Sequence, residues 1–413
     1  MIRLLVIADD LTGALDTGAR LAAGGAETLV LPAWRDVSGG LPEILVVNAK
    51  TRHLPPDEAR RIVREICVRC PAERIYKKTD SALRGNVGAE LAGVLDACPE
   101  MEISFVPAFP AVGRTVRDGR LSMKGVPIQK TAFGRDPFEP VRTDCVADVL
   151  RAQADEKIVL SVPGDVPGGR LRRIRVWDAE TDADLSVIAR TIAETDGTRL
   201  LAGCAGFAGA LPDAFGFRGR KAGGIPAAER MLVLCGSLHP ATKAQISFAA
   251  ARGMARIRLD AALLAVAGAW DLPEGRERLR GIVDRLRAER VLMIDTADPG
   301  ANAGPAGGSK LVAESLGALF RGLVRSEIPF LPLLTGGDTL SACMDALGAD
   351  AVRPLGEAAD GVVIARFSDG GKAMYMLTKS GGFGGETLIA DLVARFVLRE
   401  NGSGNTDRVE GEG

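Results

Sequence analysis

The chain has 413 residues, 46% hydrophobic and 25% charged, the composition of a soluble globular protein of two or three domains. Its 52 Lys+Arg against 53 Asp+Glu leave a formal charge of −1, which removes the electrostatic case for a general nucleic-acid or membrane-surface binder. Two histidines, His53 and His239, leave little room for a multi-histidine metal centre or a Ser-His-Asp triad, and seven scattered cysteines argue against a disulfide framework.

In chain order, Arg3–Ala8 is a continuous apolar run that meets Asp9 and Asp10, the pattern of a strand buried on both faces. The run is too short for a signal peptide and no stretch reaches membrane-spanning length, so the expectation is a cytoplasmic protein. A helix follows from Thr12. The pattern then alternates: strands at Glu27–Leu31 and Ile44–Asn48, helix Pro56–Cys70, strand Arg74–Lys77, helix Val87–Ala97, strand Ile103–Pro107. Strands separated by helices predict βαβ units and a mostly parallel sheet. From Ala108 to Val141 the pattern fails, and Gly, Pro, Arg and Lys predict a long functional loop. Alternation resumes near Ala147 and runs to about Leu211.

Phe215–Arg230 has the Gly, Pro and basic character of a connector. A second α/β series follows: strands Met231–Cys235, Arg256–Leu259, Val291–Asp295, Phe330–Thr335, Gly361–Phe367 and Ala373–Thr378, with helices Pro240–Arg252, Arg276–Arg287, Lys310–Arg325, Leu340–Leu347 and Glu386–Leu398. The fold expected is two α/β lobes with mostly parallel sheets: a first domain over 1–218, a linker over 219–230, a second domain over 231–399, and a disordered tail over 400–413.

In open α/β sheets ligands sit outside the C-terminal ends of the strands. Asp9 and Asp10 fall there; one cap could account for one of them, but two adjacent acids exceed what a cap needs. Tyr76-Lys-Lys-Thr-Asp-Ser-Ala-Leu-Arg-Gly-Asn also follows a strand, and Lys78, Ser81 and Arg84 are donors suited to a carboxylate. Asp80 could accept a proton or bind a substrate hydroxyl, and Asn86 closes the turn. Arg52 brings a further cation, and Arg114 belongs to the long loop. The second lobe repeats strand, Gly-turn, helix three times, at Cys235-Gly-Ser237, at Gly336-Gly337-Asp338-Thr339 and at Ser380-Gly381-Gly382. Such turns present backbone N–H groups to anions and point to a polyphosphate site, although neither a Walker A nor a GxGxxG pattern occurs. The pair Cys67 and Cys70 ends a charged helix and reads as structural or incidental.

Taken together and in this order, IADDLTGALDTG, NAKTRHL, YKKTDSALRGNVGAEL, VPAFPAVGRT, FGRDP, CGSLHPAT, LLTGGDTLSACMDALG and KSGGFGG resemble the four-carbon acid sugar kinase family, whose members include D-threonate, D-erythronate and 3-oxo-tetronate kinases. The resemblance implies an ATP-dependent, two-domain kinase: an N-terminal domain for the acid sugar, a C-terminal domain for the nucleotide. Asp9, Asp10, Arg52, Lys78, Asp80, Ser81, Arg84, Asn86 and Arg114 become candidates for the acid sugar. Ser237, Gly336, Gly337, Asp338, Thr339, Gly381 and Gly382 become candidates for ATP. Arg52, Lys78 and Arg84 would anchor the acid, and Asp10 or Asp80, with Lys78, would do the chemistry; the sequence does not choose between the acids. Mg²⁺ would bridge the phosphates, using few protein carboxylates and several waters. The partners expected are the sugar acid and ATP, with no nucleic acid or membrane, and a homodimer on base rate. The rival reading is a non-catalytic sugar-acid and nucleotide-binding regulator on the same scaffold.

Overall fold

The computed structural model describes residues 1–35, 41–136, 139–168, 171–219, 225–296, 307–369 and 372–397. Much of the predicted connector (220–224) and the predicted tail (400–413) lie outside the described residues, as does Leu398.

The first half contains β1 (Ile2–Ala8), α1 (Leu11–Ala22), β2 (Thr28–Leu31), β3 (Ile44–Asn48), α2 (Pro56–Arg69), β4 (Ala72–Lys78), α3 (Val87–Ala97) and β5 (Glu102–Val106). After them come β6 (Arg114–Arg117), β7 (Arg120–Met123), β8 (Val126–Pro127), α4 (Val146–Arg151), β9 (Ile158–Ser161), β10 (Arg173–Trp177), α5 (Asp182–Glu194), β11 (Leu200–Gly203), α6 (Ala205–Ala208) and α7 (Leu211–Phe215). Eight of these strands pair parallel in the order β2-β3-β1-β4-β11-β5-β10-β9. Val6 and Ile7 of β1 are buried between flanking layers of helix, which is why the strand reads as an unbroken apolar run.

The loop from Ala108 onward is not irregular. It holds a separate three-stranded antiparallel sheet, β6-β7-β8. Asp118-Gly119 and Lys124-Gly125 join its strands with positive φ at both central residues, as two-residue hairpin turns of type I′ require. The Asp-Gly pair was the signal in the sequence; the strands are too short and polar to show a period-two pattern.

The second half contains β12 (Met231–Cys235), α8 (Pro240–Ala251), β13 (Ala255–Leu259), α9 (Ala261–Leu264), α10 (Pro273–Ala288), β14 (Val291–Thr296), α11 (Gly307–Val324), β15 (Leu331–Thr335), α12 (Gly337–Leu347), β16 (Val352–Ala359), β17 (Val362–Asp369), β18 (Lys372–Lys379) and α13 (Leu388–Phe396). Strands β13, β14, β12, β15 and β18 run parallel, and β18, β17 and β16 form an antiparallel meander. The strand β16 was missed by pattern reading. Its sequence, VRPLGEAA, carries a proline, a glycine and two charges, and its pairing to β17 is broken by two register shifts.

That strand changes the picture of two lobes joined by a connector alone. Val352 of β16 pairs antiparallel with Val30 of β2, so both halves share one fifteen-stranded sheet. Three antiparallel steps (β2/β16, β16/β17, β17/β18) reverse chain direction, which in a flat sheet would put the two ligand-binding edges on opposite sides. Sheets twist by about 20–25° per neighbouring pair. Accumulated between β1 and β15, that twist turns the two edges toward each other.

Candidate active site

The edges meet in a cleft of about 980 Å³, lined from the first half by Asp10, Thr12, Asp16, Arg52, Lys78 and Asp80 among others, and from the second by the three glycine turns. In the first half each residue is delivered by the end of a parallel strand: Asp10 after β1, Arg52 after β3, Lys78 and Asp80 at β4.

Arg52 is the hub. Its Nε–H donates to Asp9 Oδ2 (2.8 Å) and an Nη1–H to Asp10 Oδ2 (2.9 Å), while Nη2 lies 3.9 Å from Asp80 Oδ1. Three carboxylates outweigh the cost of burial and hold its guanidinium well above the usual range. Burial works against the Asp9 carboxylate, yet Arg52, Lys78 and Lys77 together keep it below the ordinary range.

Arg84 forks onto Asp80, with Nε 3.0 Å from Oδ2 and Nη2 3.0 Å from Oδ1, and its Nη1–H reaches Asp136 Oδ2 at 3.1 Å. Asp80 Oδ2 also accepts from the Ala82 and Arg84 amides. Although burial pushes the other way, Arg84 and Arg52 hold Asp80 far below the usual carboxylate range. The Arg114 Nη1–H donates to Ser81 Oγ (2.6 Å), but its buried Nε has no partner. Burial lowers the Arg114 pKa despite the attraction of Asp80.

Asp10 differs from Asp80. Its Oδ1 accepts from the Gly13 amide (2.9 Å) and caps α1, so the capping and functional readings both describe it. Oδ2 faces the cleft. Lys78 is buried, and its ammonium donates to the Thr79 carbonyl (2.7 Å). Asp9 and Asn86 do not line the cleft: Asp9 supports Arg52 from below, and the Asn86 amide donates to the carbonyls of Thr51 (2.9 Å) and Leu54 (2.7 Å).

On the other side, Ser237, Gly336, Gly337, Asp338, Thr339, Gly381 and Gly382 all reach the cleft. Gly336 takes φ of +103°, which a side chain would strain, and occupies the N-cap of α12 without a side-chain cap. The first N–H groups of α12 are thus left for a ligand. Asp338 makes no ion pair among the described residues.

Among the cleft residues that sequence reading did not place in the site are Thr12, His239, Phe109 and Phe133. Phe133 lies 5.2 Å from the Arg84 guanidinium and 5.1 Å from that of Arg114, stacking under both from the hairpin region. It sits within the quoted FGRDP segment, but nothing in that segment says that an aromatic ring meets two arginines. His239 caps α8 through its ring, and burial with Lys379 lowers its pKa.

Comparison with known proteins follows this division. Residues 4–211 match the sugar-binding N-terminal domain family and residues 232–389 the nucleotide-binding C-terminal domain family. The chain is 30% identical over 427 residues to the D-threonate kinase of Salmonella typhimurium, covering 97% of this chain and 99% of that protein. It is 30% identical over 415 residues to the 3-oxo-tetronate kinase of Methylobacterium radiotolerans, covering 92% and 96%. A solved structure from Salmonella typhimurium LT2 shares the fold, with a TM-score of 0.78 at 22% identity over 96% of this chain and 100% of that one. With both halves matched in order and the likeness running nearly end to end, the chain belongs to the four-carbon acid sugar kinase family.

Proposed function

We propose that this protein transfers the γ-phosphoryl group of ATP to the terminal hydroxyl of a four-carbon sugar acid of the threonate, erythronate or 3-oxo-tetronate type. The observation that carries the reading is the single cleft in which the Asp10–Arg52–Asp80 cluster faces three glycine turns. The division of labour follows the two halves, taken as 1–218 for the acid and 231–399 for the nucleotide.

Arg84, Arg114, Lys78 and Ser81 would hold the carboxylate and hydroxyls of the acid; the unpartnered Arg114 Nε supports an anion there. Asp80 is a poor base, because Arg84 forks onto both its oxygens and, with Arg52, holds its carboxylate far below its ordinary pKa. Asp10 is the better one. The terminal hydroxyl oxygen would attack the γ-phosphorus as the bond to the β-phosphate bridging oxygen breaks, its proton passing to Asp10 Oδ2 and ADP leaving. The protein's contribution is positioning and charge neutralisation.

Among the described residues no cluster of three or more His, Cys, Asp or Glu could hold a metal ion by itself. That donor set fits a Mg²⁺ carried by the nucleotide phosphates, with Asp338 as the free carboxylate nearest the glycine turns. When bound, Mg²⁺ supplies neutralisation of phosphate charge. Asp338 would hold its hydration shell.

An ATP-consumption assay over erythronate, threonate and their 3-oxo forms, with product mass analysis, tests the reading. Phosphorylated acid is the expected result; binding of both ligands with no turnover on any acid would overturn it.

A further inference from the structure

We infer that Lys379 is the positioning residue that shapes the third glycine turn into a cradle for the nucleotide phosphates, by holding the Ser380 and Gly381 carbonyls from behind. The inference rests on the reading of the second half as the ATP site.

Lys379 ends β18 and is 2% exposed. It does not line the cleft. Its three ammonium protons are all spent, on Thr242 Oγ1 (3.0 Å), the Ser380 carbonyl (3.0 Å) and the Gly381 carbonyl (3.2 Å). The Thr242 hydroxyl in turn donates to the Gly381 carbonyl at 2.6 Å. In a trans peptide unit the C=O and N–H point in opposite directions, and every peptide bond described here is trans. Drawing the Ser380 and Gly381 carbonyls toward the interior therefore turns the Gly381 and Gly382 N–H groups outward. Both glycines line the cleft, and neither amide has an acceptor among the described residues. A pair of successive unpaired N–H groups is an anion-binding concavity.

A β-carbon on Gly381 would collide with Ser237 Oγ, so the turn also lies directly against the first glycine turn. Behind it the lysine carries a positive charge that no carboxylate among the described residues pairs with. The groups that face it are the Cys235 thiol of β12, which burial keeps protonated by raising its pKa to about 11, and the His239 ring, which the lysine itself disfavours as a cation. Asp295 beyond Cys235 is engaged by Arg256, whose Nε lies 2.8 Å from Oδ1. Buried without a counter-ion, the ammonium loses its proton more readily, at about pH 8. A bound polyphosphate is the missing counter-charge. Binding it raises that pKa, so above about pH 8 nucleotide binding takes up a proton and weakens as pH rises.

The experiment has two arms. In steady-state kinetics at pH 7.0, Lys379→Met is expected to raise KM for ATP at least tenfold while KM for the sugar acid stays within twofold. The wild type's KM for ATP should climb above pH 8 and the variant's should not. In calorimetry at pH 8.5, wild-type protein titrated with the Mg²⁺ complex of a non-hydrolysable ATP analogue in two buffers of different ionisation enthalpy should show net proton uptake. An unchanged KM for ATP in a folded variant, or no proton uptake by the wild type, overturns the assignment; the calorimetry decides even if the variant does not fold. Proton-linked nucleotide binding without turnover on any four-carbon acid would instead sink the kinase reading and leave the role of Lys379 standing.

Discussion

A β-carbon placed on Gly337 would lie 3.6 Å from Asp10 Oδ2 and 3.0 Å from Thr12 Oγ1. The first turn of α12, in the nucleotide half, rests on the N-cap of α1, in the sugar half. In the proposed reaction the acid and the nucleotide would meet across this seam, so its spacing would set the reaction distance.

Gly337→Val should therefore damage catalysis more than folding. The residue is helical and has no positive φ, so valine's backbone fits; its branched methyls fill the space between Thr12 and Asp10. A fall in kcat of about 100-fold is the expectation, consistent with a displacement of about 1 Å at the reacting centre. Stopped assays beside a thermal melt check it, and a kcat within threefold of wild type would contradict the close approach.

Asp10→Asn and Asp80→Asn should separate the two acids. The asparagine at 10 keeps an oxygen for capping α1 but cannot take a proton, so kcat should fall about 10²–10⁴-fold with both KM values little changed. Asp80→Asn leaves Arg84 and Arg52 short of a buried partner, a loss of about 3–5 kcal/mol for breaking such a pair. It should raise KM for the acid and lower the melting temperature. The two KM-against-kcat patterns, measured on both variants, distinguish base from anchor.

Acid sensitivity follows from the same carboxylates. Asp9 and Asp80 have folded pKa values depressed by their cationic neighbours. A depressed carboxylate contributes stability that is fully present above its unfolded pKa, near the ordinary value of 3.8, and that is lost as pH falls through the lower folded value. Urea unfolding should thus be nearly insensitive to these groups from pH 5 to 7 and weaken below about pH 4. Asp80→Asn should flatten that acid limb; an identical limb in the variant would show that Asp80 is not the source.

Phe133→Ala should act on the sugar acid alone. The ring stacks under Arg84 and Arg114, and each cation–π contact is worth about 0.5–2 kcal/mol. Without it the two guanidinium groups lose a fixed plane. KM for the acid should rise about 2- to 30-fold, as the loss of one such contact implies, with KM for ATP unchanged. Equal effects on both substrates would mean that the hairpin region closes the whole cleft rather than orienting the arginines.

Local chemistry made most of this protein legible as text. A strand buried on both faces must be apolar throughout, a βα turn that meets an anion must carry glycine, and cations and acids at strand ends have few structural uses; hence Asp10, Arg52, Lys78, Arg84 and the three glycine turns could be named in advance. The tertiary structure alone decided what depends on partners far apart in the chain. Strand β16 carries Pro354, Gly356 and two charges, is bulged against β17 and meets β2 only at Val352 and Val30, so no pattern announced the strand that joins the halves. Asp80 and Asp10 are the same residue type at similar strand ends, and only the packed structure shows that Arg84 forks onto both oxygens of Asp80 while Arg52 reaches Asp10 through one N–H. Lys379 is one lysine among many in the sequence. Its burial without a carboxylate partner among the described residues, and its contacts to Thr242 and to the Ser380 and Gly381 carbonyls, exist only once β18, α8 and the glycine turn are packed together.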